Sequence, residues 1–144
     1  MKVDMHNHTY LCNHADRKPE EYLKAAILKG IDIFGFSDHA PMNFDKAYRM
    51  SFSQMDFYEN LIDELKEKFQ GKIEILKAYE VDFLPGFIDE RVISRKVDYL
   101  IGSVHFLNAW GFDNPELIGG WKDKNIDEIY SEYFSAIENL AKSG

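Results

Sequence analysis

Gly30-Ile31-Asp32-Ile33-Phe34-Gly35-Phe36-Ser37-Asp38-His39 is the stretch on which the fold turns. Ile31 to Phe36 is a short run of β-branched and aromatic residues, and it reads as a strand. Gly30 ends what comes before it. That preceding segment, Pro19 to Leu28, reads as a helix, with Pro19 at an early position and Glu20 and Glu21 in the first turn. Ahead of the helix, Lys2 to His6 is a short candidate strand. Strand, helix and strand in this order form a crossover unit.

The alternation continues downstream. Ser53 is the expected cap of a helix reaching about Phe69, with Phe57, Leu61, Ile62, Leu65 and Phe69 at helical spacing and Gly71 ending it. Lys72 to Val81 reads as a third strand, Phe87 to Arg95 as a short helix and Val97 to Val104 as a fourth strand. Ile126 to Lys142 is a last helix, with Ile129, Tyr133, Ile137 and Leu140 on one face. The order β-α-β-α-β-α-β-α predicts an α/β fold, a parallel sheet with crossover helices. Four such units are too few for a closed parallel barrel, which typically has about eight strands. Ala141-Lys142-Ser143-Gly144 has the look of a helix stop with Gly144 as its cap. The expectation is therefore a truncated product or a fragment with an exposed sheet edge, open to dimerisation or association.

The 144 residues match one ordinary domain, and a hydrophobic share of 45% supplies a core. A net charge of −8 argues against non-specific nucleic-acid binding and against docking on anionic membranes. One cysteine, Cys12, cannot form an internal disulfide, which fits a reducing cytoplasm. The first residues carry no apolar signal region, and no run of about 18 apolar residues occurs.

The five histidines follow the strands. His6, His8 and His14 lie within nine residues, while His39 and His105 each follow a strand. Residues two apart in a strand share a face, so His6 and His8 project together. In parallel βα architectures, functional groups gather at the carboxyl ends of the strands. Here those ends carry His6 and His8, Asp38 and His39, Glu80, and His105. Imidazoles and a carboxylate at one locus make a metal site of mixed nitrogen and oxygen character. Each residue alone has a plainer reading. Asp38 could cap a helix, Glu80 could pair with Lys77, and His14 could be a loop residue. The plain readings would have to hold independently at the end of every strand. Cys12 lies in the loop with the histidines and could be a ligand, but with no second cysteine nearby it reads as a small loop residue. Phe34, Phe36, Phe57, Phe69, Tyr99 and Phe134 read as core, and the charges from Asp63 to Lys68 and Asp89-Glu90-Arg91 as solvated faces.

These residues resemble the motifs of the PHP (polymerase and histidinol phosphatase) superfamily. His6-Asn7-His8-Thr9 resembles its first motif and Ser37-Asp38-His39 its second. Glu80 in Tyr79-Glu80-Val81-Asp82-Phe83 resembles its bridging glutamate, and Gly102-Ser103-Val104-His105 the motif with its next histidine. Leu11-Cys12-Asn13-His14-Ala15, Asp38-His39-Ala40-Pro41, Arg49-Met50 and Phe106 after His105 are similar to the histidinol-phosphate phosphatase branch. Two departures stand out. Asn13 occupies the place of an aspartate ligand, so His14 is expected to take over. The Gly-His-x-Asp and final Asp-x-His motifs are missing.

The resemblance implies the first four β/α units of a distorted seven-stranded TIM-like (β/α) barrel with two or three divalent ions, zinc, iron or manganese. His6, His8 and Glu80 would hold the first ion, Glu80 and His105 a second, and His39 and His14 a third. A bridging hydroxide would attack the phosphorus of a monoester, with histidinol phosphate going to histidinol in histidine biosynthesis. Arg49 is the expected contact to the phosphate, and Asp38 is expected to orient His39 or a neighbouring ring. Without the later ligands, weak metal binding and poor turnover are expected. The competing readings are a PHP-type phosphoesterase acting on another substrate such as nucleic acid, an inactive metal-binding fragment, and an amidohydrolase. Against the last, the third strand ends in Glu80 where those sites usually carry a lysine.

Overall fold

The structure, a computed structural model, describes residues 1–87 and 89–143. The stop expected at Gly144 lies outside them, as does one residue of the helix expected over 87–95. The chain forms two compact units, Met1–Glu80 with Ser94–Ile101, and Val81–Ile93 with Gly102–Gly144.

The first unit is built on a four-stranded sheet in the order β1-β2-β3-β4. The strands are β1 (Val3–Asn7), β2 (Ile33–His39), β3 (Glu74–Asp82) and β4 (Tyr99–Ser103). Strand β2 runs parallel to both β1 and β3. Helix α1 (Pro19–Leu28) connects the first pair and α2 (Met55–Lys68) the second. From Phe34 onward every residue of β2 is buried, as expected of a parallel strand covered on both faces. Leu23 and Ala26 of α1 are buried, as are Met55, Tyr58, Ile62 and Leu65 of α2. Gly30 and Gly71 adopt φ of 69° and 75° where the two helices end.

Register places the site. His39 pairs directly with Glu80 across β2 and β3, and the Ala40 amide donates to the Glu80 carbonyl at 2.8 Å. Between β1 and β2 the register shifts between Asp4 and Asn7, so His6 sits in the irregular stretch. The Asn7 amide spans it, donating to the Gly35 carbonyl at 3.1 Å and to Asp4 Oδ1 at 3.0 Å. Irregularities of this kind re-aim side chains at strand ends. Gly35 is required by close approach. A Cβ there would lie 3.1 Å from Met5 Cα and collide with the Tyr99 hydroxyl, which donates to the Met5 carbonyl.

The second unit packs Val104, Leu107 and Ile129 among Phe83, Trp110, Phe112, Trp121, Tyr133, Ile137 and Leu140. Its elements are α3 (Glu90–Ile93), a hairpin of β5 (Phe106–Leu107) and β6 (Trp110–Gly111), a 3-10 helix Pro115–Trp121 and α4 (Ile126–Ser143). The hairpin turn places both Asn108 and Ala109 at positive φ.

Three expectations are corrected. The cap before α2 is Ser51, not Ser53. Ser51 forms a reciprocal capping box with Gln54 on the 3-10 turn Phe52–Gln54 that leads into α2. The buried face of α2 uses Met55 and Tyr58 while Phe57 is 53% exposed, because the 3-10 turn rotates the face that meets the sheet. Phe134 is likewise 62% exposed, one residue off the buried stripe of α4. Sequence reasoning also missed the hairpin, whose Asn108-Ala109 turn lacks the glycine that usually marks one.

Candidate metal centre

Strand β1 delivers His6 and, one residue beyond its end, His8. Strand β2 delivers Asp38 and His39, and β3 delivers Glu80. Glu80 is buried, and its Oε2 faces three imidazole nitrogens: His6 Nε2 at 2.9 Å, His39 Nδ1 at 3.2 Å and His8 Nε2 at 3.4 Å. The rings crowd one another. Centroids lie 5.1 Å apart for His6 and His8, 4.7 Å for His8 and His39, 4.8 Å for His14 and His39, and 5.2 Å for His8 and His14.

His14 reaches this group through a short turn. Thr9 caps the 3-10 helix Tyr10–Cys12, its hydroxyl accepting from the Leu11 amide at 3.1 Å. Asn13 ends it in the left-handed region at φ 60°, which reverses the chain and sets the exposed His14 ring beside those of His8 and His39. The Tyr48 ring stacks on His14 at 5.7 Å and 17°.

Asp38 holds the turn in place. It is fully buried, and its two carboxylate oxygens accept from the Thr9 amide and the Thr9 hydroxyl. Burial raises its pKa to about 6, with the Thr9 bonds pulling the other way. Its Oδ1 lies 4.0 Å from His8 Nδ1. The neighbouring ring it approaches is therefore that of His8. From the rear, the buried Tyr58 hydroxyl donates to the Ala78 carbonyl at 2.8 Å and accepts from the Asp38 amide at 3.4 Å.

Cys12 lies beneath the turn with no exposed surface. Burial foremost, with the charge of Asp38, pushes its thiol up to about 12, so it stays protonated. Arg49 is also buried. Its Nε donates to Asp45 at 2.9 Å and its Nη1 to the Ala40 carbonyl at 3.4 Å.

His105, in the second unit, is fixed by Asp82. Its Nδ1 lies 2.8 Å from Asp82 Oδ1, its amide donates to the same oxygen at 3.2 Å, and Asp113 Oδ2 lies 3.9 Å from its Nε2.

Of the expected ligands, His6, His8, His14, His39 and Glu80 meet in the first unit, and His105 lies in the second. Sequence reasoning assigned no role to Thr9, Tyr48 or Asp82. A strand period of two from Glu80 points to Asp82, and Thr9 directly follows the His-x-His pair. Nothing in the sequence singles out Tyr48.

Four imidazoles and a carboxylate in contact fit a divalent metal. The ligand atoms of His6, His8 and Glu80 lie within 4.8 Å of one another, as do those of His8, Cys12 and His14. Imidazole nitrogen with carboxylate oxygen suits zinc and other first-row ions.

The sequence pattern of the PHP domain matches residues 4–143. A Deinococcus radiodurans protein named "Probable histidinol-phosphatase" is 38% identical over 98% of this chain and 56% of its own. A Listeria monocytogenes protein whose crystal structure is assigned to histidinol phosphatase hisK superposes with TM-score 0.68 at 27% identity, over 76% of this chain and 47% of its own. Histidinol phosphate phosphatase from Lactococcus lactis, crystallised with zinc, L-histidinol and phosphate, shares the fold with TM-score 0.66 at 24% identity, over 75% of this chain and 41% of its own. The chain spans about half the length of the curated relatives it matches. Among the described residues, no helix is long and apolar enough to cross a membrane.

Proposed function

The chain belongs to the PHP domain family, and on that premise we propose that its four β/α units carry the first metal ligands of a phosphoesterase hydrolysing histidinol phosphate to histidinol. The observation that carries this reading is the convergence of three imidazole nitrogens on Glu80 Oε2. The Deinococcus relative supports the substrate. The zinc in the Lactococcus enzyme puts zinc first among the candidate ions, ahead of iron and manganese.

His6, His8 and Glu80 hold one ion, His14 and His39 serve another, and His105, in the second unit, is a further proposed metal ligand. Divalent ions bound there lower the pKa of water towards neutrality and offset charge on phosphoryl oxygens. The protein's own groups set the stage. Asp38 ties the turn of Thr9 to the end of β2, which keeps His8 and His14 in place. The Tyr48 ring limits rotation of His14, and Asp82 fixes the tautomer and orientation of His105. Arg49, a guanidinium with five N–H donors, is the proposed contact to phosphate, oriented by its bonds to Asp45 and Ala40. Association through the outer edge of β4, where Leu100 is 42% exposed, and a cytoplasmic setting suited to a single thiol belong to the same proposal.

The test loads the purified chain with zinc, counts the metal, and follows phosphate release from histidinol phosphate, an aryl phosphate and an oligonucleotide. The expected result is weakly bound zinc that Glu80→Gln and His8→Gln abolish, with slow phosphate release that favours histidinol phosphate. Zinc without release of phosphate from any substrate would leave a metal-binding domain and remove the hydrolytic reading. Release from the oligonucleotide alone would replace the substrate.

A further inference from the structure

We infer that Cys12 is a positioning residue: its sulfur accepts the Nδ1–H of His8 and so turns the Nε2 lone pair of that ring towards the metal centre. The inference rests on the metal-centre reading above and adds the group that sets the tautomer of one ligand.

The contact comes from the turn after β1. The 3-10 helix Tyr10–Cys12 brings Cys12 back towards its own starting point, four residues after His8. Its Sγ lies 3.4 Å from His8 Nδ1 and 3.5 Å from the Thr9 carbonyl. A thiol is both a weak donor and a weak acceptor. The Thr9 carbonyl and the Asp38 carboxylate, which also bonds this thiol, can only accept, so the S–H points to one of these and away from His8. The sulfur is left to accept, from the His14 and His39 amides and from His8 Nδ1, which completes a chain from the ring N–H through sulfur to an acceptor oxygen.

Glu80 gives an independent reason for the same tautomer. Its Oε2 faces three ring nitrogens but has two lone pairs. At least one of the three rings must therefore turn an unprotonated nitrogen towards it. His8 makes the longest of the three approaches, 3.4 Å against 2.9 Å for His6 and 3.2 Å for His39. Its other nitrogen has an acceptor at hand in Cys12. The ring thus carries its proton on Nδ1 and is ready to bind through Nε2 before any ion arrives.

Metal-bound histidines usually pass their second N–H to a carboxylate or a carbonyl. A carboxylate at position 12 would add a further buried negative charge beside Asp38 and Glu80, which are both buried already. A neutral thiol accepts the proton without that charge, and its volume suits a site with no exposed surface.

The test reads the ring directly. Long-range 1H–15N spectra of the metal-free chain, with His8 identified by loss of its signals in His8→Gln, report which nitrogen is protonated. The parent is expected to show the Nδ1–H form at His8. Cys12→Val, close in volume but unable to accept, is expected to shift His8 towards Nε2–H, and Cys12→Ser to retain the parent pattern. Zinc affinity by chelator competition is expected to fall about 10- to 100-fold in Cys12→Val and to recover in Cys12→Ser. Urea unfolding of the metal-free variants separates this from a plain loss of stability, which would leave the other rings and the tautomer of His8 in step. An Nε2–H ring in the parent, or His8 signals unchanged in Cys12→Val, overturns the inference. So does a thiolate-to-metal charge-transfer band in the cobalt form, which would make Cys12 a ligand itself. A chain whose His8 tautomer follows Cys12 yet takes up no zinc would sink the phosphatase reading while leaving the hydrogen bond established.

Discussion

Replacing Asp38 by Asn probes the buried carboxylate that holds the site's first turn. Asp38 has no exposed surface, and burial raises its pKa from an ordinary 3.8 to about 6. The folded chain therefore binds this proton more tightly than the unfolded chain does. Stability from that proton is present at low pH and is lost as pH rises through the folded pKa. A shift of about 2 units corresponds to about 3 kcal/mol in full. Between pH 4.5 and 7.5 the visible part is about 2 kcal/mol, because the range begins above the unfolded pKa of 3.8, where the unfolded group is already mostly ionised while the folded one is still protonated. Asn cannot titrate, so subtracting the variant isolates the Asp38 contribution from every other group. Urea unfolding of the metal-free chain at half-unit pH steps gives the two curves. The difference, parent minus Asp38→Asn, should fall by about 2 kcal/mol across that range. A constant offset of about 1–3 kcal/mol for the altered bonds to Thr9 lies beneath it. A difference that stays flat or rises with pH would refute the reasoning. It would mean that Asp38 is held ionised in the fold, with the His8 ring 4.0 Å away charged as its partner.

Three further outcomes follow from the same geometry. Tyr58→Phe removes a buried hydroxyl that joins the Ala78 carbonyl to the Asp38 amide. Urea unfolding should show a loss of about 1–3 kcal/mol, and a loss below about 0.5 kcal/mol would contradict the bonding. Gly35→Ala pushes a Cβ to 3.1 Å from the Met5 backbone, whereas in Gly102→Ala the new Cβ meets the methyl ends of Leu140. Gly35→Ala should cost about 1–3 kcal/mol and Gly102→Ala less, and the reverse order by thermal melting would be fatal to the packing argument. Free zinc at about 100 times its dissociation constant should raise unfolding stability by about 2.7 kcal/mol. A chelator should reverse the gain and Glu80→Gln should remove most of it, so equal stabilisation of parent and Glu80→Gln would place the metal elsewhere.

The alternation of helix and strand was legible because each strand is a short apolar run between helix stops. Pro19 and Gly30 bracket α1 closely enough that its limits, Pro19–Leu28, coincide with the expectation. The five residues His6, His8, His14, His39 and Glu80 could be gathered from sequence because parallel strands deliver their carboxyl ends to one side. What could not be read depends on contacts made in space. Cys12 looks like filler until the turn folds it under His8. Asp82 looks like an ordinary carboxylate until His105 closes on it at 2.8 Å. The displaced face of α2 follows from the 3-10 turn at Phe52–Gln54, a change of pitch that an ideal helical spacing does not contain. The β5–β6 hairpin consists of two residue pairs, too few for a period to declare itself.

The pairing of His39 with Glu80 across β2 and β3 has a consequence for how the chain reaches its native form. A slip of one residue between these strands would turn every side chain of one strand to the opposite face. His39 Nδ1 would then no longer lie beside Glu80 Oε2, although a run of buried residues on both faces of β2 could still pack tolerably. Hydrophobic burial is thus a poor judge of alignment here, and coordination is a sharp one. On the metal-centre reading proposed above, misthreaded forms would forgo the binding energy of the metal while the correctly threaded form would gain it. On this view the ions proofread strand alignment during folding, before any substrate arrives.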